Sequence, residues 1–304
     1  MGAMQMRRRY PFVERRTDLD RDTLLRDYVA RGEPVVIRTS GETDAWSFEA
    51  LANEFGDRAV AAEETLPVFV GERGQRRLAL AEVIGRVRAN DRSLRWKGLD
   101  LLGAVRGMTE HLAAAPPASE ALLPTSTTRT SRALWLAPAG TMSSFHHDGN
   151  SDNLNWQVSG KKLFLLAPPS VFAHVYAYGS AQSPLNPFSP DLARFPRFAA
   201  APACEALLEP GDVLLIPKYW WHCVYTVEPS VNLNTWFACP ETVSAWRALE
   251  GVPFFHRTCS TIAAEMKKRE WIGLAAMLRK VWSVAYAQLN ARPLPDPRGL
   301  LLDP

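Results

Sequence analysis

Only four cysteines, Cys204, Cys223, Cys239 and Cys259, occur among the 304 residues, and no two form a Cys-x-x-Cys pair. The chain therefore needs no disulfide framework, and the pattern predicts a reduced, cytoplasmic protein with free thiols. No run of about 18 apolar residues is present, so no helix is expected to span a membrane. The N-terminus lacks the apolar segment of a secretory signal. Charge of one sign is also lacking: 35 Lys and Arg face 32 Asp and Glu, a formal +3, which implies no strong field for nucleic acid or a membrane surface. Arg7, Arg8 and Arg9 with Arg15 and Arg16 read as a solvated N-terminal segment. No internal repeat is found. Histidine is scarce, with six in the chain.

What is present divides into three stretches of a single domain spanning 1–304. The first, 1–130, reads as mixed α/β. "LDRDTLLRDYVARG" places Leu19, Leu24, Leu25, Tyr28 and Val29 at helical spacing, with Asp18 or Asp20 as cap and Gly32 as stop. "EPVVIRTS" reads as a short buried strand, while "SFEALANEFG" and "LALAEVIGRVRAND" read as helices. From 131 to 240, short apolar runs are split by Pro, Gly, Asn and Ser, with β-branched and aromatic residues frequent. That predicts an antiparallel barrel or jelly roll. The Pro- and Ser-rich stretch 179–202 reads as a long, functional loop. From 241 to 304 the pattern turns helical, with an aromatic stripe that includes Trp271, Trp282 and Tyr286 and suits a core or a dimer seam. The fold class expected is β-rich α+β.

The stretch "SSFHHDGN" sets two histidines beside an aspartate. On a strand, side chains alternate, so His146 and Asp148 share one face and His147 points the other way. Of the remaining histidines, His111 lies in an Ala-rich helical segment, His174 near the long loop, and His256 beyond the β region. His222, in "PGDVLLIPKYWWHCVYTV", opens a later strand and is the best third ligand. Two imidazoles and one carboxylate make a facial triad, which suits non-haem Fe(II) and leaves positions open for other ligands. In "KKLFLL", alternation puts Lys162, Phe164 and Leu166 on one face and Lys161, Leu163 and Leu165 on the other. On a central strand one lysine must face the interior, and a buried ammonium needs an anion. On an edge strand both would be solvated.

The residues "HHDGNSDNLNWQVSGKKLFLLAPP", "RFPRFAAAPACEALLEPGDVLLIPKYWWHCV" and "VNLNTWF" resemble the cupin-like, JmjC-type Fe(II)/2-oxoglutarate oxygenases. Within that family they look most like the branch that includes the hypoxia-inducible-factor asparaginyl hydroxylase and the tRNA wybutosine hydroxylase. "ERRTDLDRDTLLRDYVARGEPVVIR" is similar to the family's usual N-terminal entry, so the resemblance is nearly full length. It implies a double-stranded β-helix (jelly roll, cupin) core with N-terminal α/β elements and C-terminal helices. It further implies iron held by His146, Asp148 and His222, with Lys162 on the distal carboxylate of 2-oxoglutarate. Ser143 sits where the asparaginyl hydroxylase has a threonine serving that carboxylate. Asn153 and Asn234 match asparagines lining the cosubstrate pocket, and Trp236 matches a tryptophan beside it. Trp221 would be packing. A tyrosine that helps hold the cosubstrate in that hydroxylase has no counterpart here, and "LRWKG" offers Arg95 or Trp96 instead.

The resemblance implies a dioxygenase using Fe(II), 2-oxoglutarate and O₂, with no catalytic residues beyond the metal ligands. The substrate favoured is an amino-acid side chain in a peptide or protein, hydroxylated with succinate and CO₂ as coproducts. The moderate charge argues against tRNA. The loop 179–202 and "LRWKGLDLL" are expected to wall the substrate cleft, and residues 258–290 suit a homodimer seam. Alternative readings are a hydroxylase of a free amino acid or natural-product intermediate, a cupin metalloenzyme that does not use 2-oxoglutarate, and a non-catalytic sensor. Lys162 should be dispensable in the second, and a metal ligand should be missing in the third.

Overall fold

The computed structural model describes residues 10–17, 19–41, 43–64, 75–98, 105–177, 181–268, 273–274 and 277–278. Strand β1 (Arg15–Thr17) leads into helix α1 (Arg21–Leu24), where the Asp20 carboxylate caps by accepting from the Thr23 backbone N–H at 2.8 Å. A π-helical turn, Leu25–Val29, follows, and Gly32 at φ +71° reverses the chain into β2 (Val35–Arg38). Ser47 caps α2 (Phe48–Phe55). β3 (Ala59–Glu64), β4 (Gln75–Ala79), α3 (Leu80–Arg88), β5 (Leu94–Gly98) and α4 (Met108–Ala114) complete the N-terminal part.

The punctuated apolar runs then form β6 (Arg129–Ala137), β7 (Phe145–His146), β8 (Asp152–Ser159), β9 (Lys162–Ala167), β10 (Gln182–Ser183), β11 (Cys204–Leu208), β12 (Asp212–Ile216), β13 (Trp221–Thr226) and β14 (Ser230–Ala238). Two sheets result, in the orders β1-β2-β12-β8-β14-β6-β5-β3-β4 and β10-β7-β13-β9-β11. From β6 to β14 the chain repeatedly crosses between them, which makes the jelly roll expected from the sequence. The N-terminal strands extend the larger sheet on both sides, so β12 and β6 are not bare edges. α5 (Ala245–Ala248) and α6 (Phe254–Lys268) follow. Most of the aromatic stripe and of the 258–290 seam lies outside the described residues. Among the described residues no helix is long and apolar enough to cross a membrane.

Stability comes mainly from the outer faces. The outer face of the larger sheet buries Leu134, Leu154, Trp156 and Leu233 against Trp46, Leu51 and Phe55 of the α2 region and Val83 of α3. The outer face of the smaller sheet buries Phe145, Leu165 and Trp221 under Phe172, Leu185, Phe195 and Phe198. The described part of the long loop is thus a lid over apolar surface, because each of these rings buries enough area to stabilise by about 1.5–3 kcal/mol. Between the sheets, Phe164, Leu166, Leu214 and Ile216 fill one side of the interior. The other side is polar.

Gly160 turns β8 into β9 at φ +67°, and a Cβ there would collide with the Pro229 carbonyl. This turn sets the parity of the two lysines. Lys161 faces out and pairs with Glu209 at 3.2 Å, while Lys162 faces in and is 5 % exposed.

Candidate metal centre and cosubstrate cavity

His146 ends β7 and His222 lies in β13, and the two strands pair them directly in register. Their rings lie side by side with centroids 4.3 Å apart. Asp148 is not on the strand. After His146 the chain turns: the His147 N–H donates to the Ala181 carbonyl, and the Tyr219 N–H donates to the carbonyl of Gly149, which sits at φ +73°. That turn, rather than strand alternation, carries Asp148 beneath both rings. His146 Nε2 is 3.7 Å from Asp148 Oδ1, and His222 Nε2 is 3.8 Å from Oδ2. The three donor atoms lie within 4.8 Å of one another, and among the described residues this is the one such group able to hold a metal ion.

The protonation pattern suits ligation. His146 Nδ1 is 2.8 Å from the Ser144 carbonyl, and His222 Nδ1 is 3.1 Å from the Trp220 carbonyl. A carbonyl only accepts, so each Nδ1 carries the proton and each Nε2 presents a lone pair toward Asp148. Asp148 Oδ2 accepts from Asn153 Nδ2 at 2.9 Å and Trp236 Nε1 at 2.8 Å. Burial alone would raise the Asp148 pKa, but the two histidines and these donors outweigh it and bring it to about 2. The carboxylate is therefore ionised and oriented. His147 is different: its ring meets Trp221 edge-on at 4.8 Å, its Nδ1 accepts from the Gly149 N–H, and burial holds its pKa down at about 3. It is a neutral packing residue.

A cavity of about 110 Å³ runs from this group into the polar side of the interior. Alternation builds its wall. Asn155 of β8 and Asn232, Asn234 and Trp236 of the neighbouring β14 share the sheet face that lines it. Asn155 Nδ2 donates to Asn234 Oδ1 at 2.8 Å, and Asn232 Nδ2 bridges Asn155 Oδ1 and Asn234 Oδ1. Lys162 donates to Asn232 Oδ1. Burial, and secondarily the Arg95 guanidinium, push the Lys162 amine down to about 7. Along β13 the histidine level and the Lys162 level are four residues apart, since Leu166 pairs with His222 and Lys162 with Thr226. That is about 13 Å between backbones, from which both side chains reach inward.

Ser143, Lys162, Asn234 and Trp236 line the cavity. Asn153 does not; its amide instead fixes Asp148. None of the described residues of 179–202 lines it, because that segment is spent on covering the smaller sheet; from the "LRWKGLDLL" region Arg95 does. Asn155, Asn232, Thr226 and Trp135 were missed. The alternating asparagines in "DNLNWQ" and "VNLNTW" were the readable signal, being polar positions at period two in otherwise buried strands.

A jelly roll with a two-histidine, one-aspartate group between its sheets defines a class, the cupin-type metal-binding folds. Residues 21–242 match the profile of the Cupin-like domain, and the chain belongs to that family. The match bears out the JmjC-type resemblance. Among curated proteins, the chain is 36% identical over 115 residues to HSPB1-associated protein 1 of Homo sapiens, covering 36% of this chain and 24% of that one. It is 27% identical over 247 residues to Lysine-specific demethylase JMJ30 of Arabidopsis thaliana, covering 74% and 54%. It is 40% identical over 86 residues to tRNA wybutosine-synthesizing protein 5 of Danio rerio, covering 28% and 26%. The matched stretch thus spans about a quarter of the length of HSPB1-associated protein 1.

Proposed function

We propose that this chain is an Fe(II)/2-oxoglutarate-dependent dioxygenase that hydroxylates an unactivated C–H of an amino-acid side chain in a peptide or protein. The observation that supports it best is the pairing, in one cavity, of a two-histidine, one-carboxylate group with a buried lysine amine at the opposite end. Fe(II) bound there would, with 2-oxoglutarate and O₂, supply the oxidising chemistry, with succinate and CO₂ as coproducts. The protein's own part is positioning. His146, Asp148 and His222 present three donors from one side. Trp236 and Asn153 hold the Asp148 carboxylate still. Lys162, held by Asn232 Oδ1, offers N–H donors to the far carboxylate of the cosubstrate, and the asparagine wall keeps the chain between its two carboxylates oriented.

A protein or peptide substrate is favoured because relatives include Lysine-specific demethylase JMJ30 and Lysine-specific demethylase 8. Hydroxylation and demethylation differ only in the C–H presented: a hydroxylated N-methyl carbon leaves as formaldehyde, returning the N–H. We also place the protein in the cytoplasm, consistent with its four free cysteines, and as a homodimer through the C-terminal helices, consistent with exposed Phe254 and Ile262 on α6. Sedimentation of the full chain tests the latter.

The test of the main reading is anaerobic. Fe(II) and then 2-oxoglutarate are added to metal-free protein, and the visible charge-transfer band of a chelated 2-oxo acid is sought. The band should appear, survive His147→Ala, and fade in His146→Ala and Lys162→Ala. Iron binding with no band would leave the fold standing and refute the cosubstrate.

A further inference from the structure

The turn 217–220, which leads into β13, grips the segment that carries Asp148 at two points. The Tyr219 N–H donates to the Gly149 carbonyl at 2.9 Å, and the Lys218 N–H donates to Asp152 Oδ1 at 3.1 Å. Gly149 follows Asp148 directly, and Asp152 opens β8. The same turn leads on to His222. The Trp220 carbonyl accepts from His222 Nδ1 at 3.1 Å, and the Trp220 N–H closes the turn on the Pro217 carbonyl at 3.2 Å. One short turn is thus bonded both to the Asp148 segment and to the His222 ring.

The turn has to be held. Tyr219 sits at φ +62°, a left-handed conformation that costs a non-glycine residue about 1–3 kcal/mol and persists only where its surroundings over-determine it. Of the two grips, the one on Gly149 joins backbone to backbone. Only the one on Asp152 depends on a side chain. Asp152 is 1 % exposed. Burial pushes its pKa up to about 6, against the pull of the Lys218 ammonium, the Lys218 N–H and the Thr242 hydroxyl. Keeping an ionised carboxylate at that depth costs desolvation that an apolar residue would avoid. What the carboxylate supplies in return is an acceptor for the Lys218 N–H, at the point where the two ligand-bearing segments meet.

We propose that Asp152 is a positioning residue of the metal centre: by holding the Lys218 N–H it clamps the Asp148 segment to the His222 segment and so sets the spacing of the metal-binding group. Asp152 belongs neither to the donor group nor to the cavity lining, and it acts through the turn alone. Its part differs from that of Asn153, which bonds the Asp148 carboxylate itself. The inference rests on the reading of His146, Asp148 and His222 as metal ligands and goes beyond it.

The experiment is calorimetric titration of the metal-free full chain with Mn(II) at about pH 8, where Asp152 is ionised. The visible spectrum of the Co(II) form, which responds to the arrangement of the ligands, is the second readout. Wild type, Asp152→Ala, Asp152→Asn and Val83→Ala are compared; Val83 lies in the main core and outside the turn. Asp152→Ala should bind Mn(II) about 10- to 100-fold more weakly, the range for residues that orient metal ligands, and should shift the Co(II) bands. Asp152→Asn keeps an oxygen acceptor for the Lys218 N–H and should stay within about threefold of wild type. Val83→Ala should lose stability, yet keep the wild-type affinity and spectrum in its folded fraction. If Asp152→Ala does not fold, Asp152→Val, which fills the space without an acceptor, takes its place. The inference is overturned if Asp152→Ala binds as wild type does, if Val83→Ala matches its loss, or if Asp152→Asn is as weak as Asp152→Ala. If the wild type binds neither metal, the metal reading falls and the inference falls with it.

Discussion

The two faces of β8 and β14 are made from the same strands and do opposite work. Outward, Leu154, Trp156, Val158, Val231, Leu233 and Phe237 pack into the main hydrophobic core. Inward, Asn153, Asn155, Asn232 and Asn234 line or brace a polar cavity. In most two-sheet proteins the inner faces hold the core. Here much of the interior is reserved for chemistry, and the outer faces, covered by α2, α3 and the described residues of 169–201, carry the stability instead. The difference teaches that this jelly roll depends on its additions: without helices and loop outside, the polar interior could not be sustained.

Four experiments would sharpen or break that contrast, from the largest effect to the smallest. Trp156→Ala, on the outer face, should destabilise by about 3–5 kcal/mol in denaturant titration while leaving Fe(II) affinity of the folded fraction intact. Asp148→Ala, on the inner side, should do the reverse: Fe(II) affinity should fall more than about 100-fold, beyond the range for residues that merely orient a ligand. Asn153→Ala should weaken Fe(II) by about 10- to 100-fold, since it releases Asp148 without removing a donor; an unchanged affinity would mean Trp236 suffices. The fourth is a pH dependence. Lys162 has a pKa pushed down from 10.5 to about 7, by burial first and Arg95 second. Between those values the folded state binds fewer protons than the unfolded one. Stability of metal-free, unliganded protein should therefore rise with pH above about 7, by up to about 1.4 kcal/mol per pH unit from this group. Lys162→Met should flatten that slope; a slope as steep as wild type would show that the buried amine is not its source.

The stop at Gly32 and one of the two candidate caps, Asp20, were legible because capping is a local matter, settled within four residues. The jelly roll was legible from the spacing of turns and apolar runs. His146 and His222 were legible as partners, yet the reasoning that joined His146 to Asp148 was not the structure's. The strand stops at His146, and a turn stabilised by contacts to Ala181 and Tyr219 brings Asp148 round. Those partners are more than thirty residues away, so no local pattern could announce them. Asn153 sat on the right face but ended one position from the cavity, against Asp148.

By itself the sequence determined which strands would be two-faced, and that one of the two neighbouring lysines would face inward on a central strand, because period-two alternation acts over a few residues. Only the tertiary structure decided which carbonyls hold the histidine Nδ1 protons, that the long loop packs as a cover, and that Arg95 reaches the Lys162 end. Each of these depends on the register between strands far apart in the chain, and register is set by the packing of whole faces rather than by any one segment.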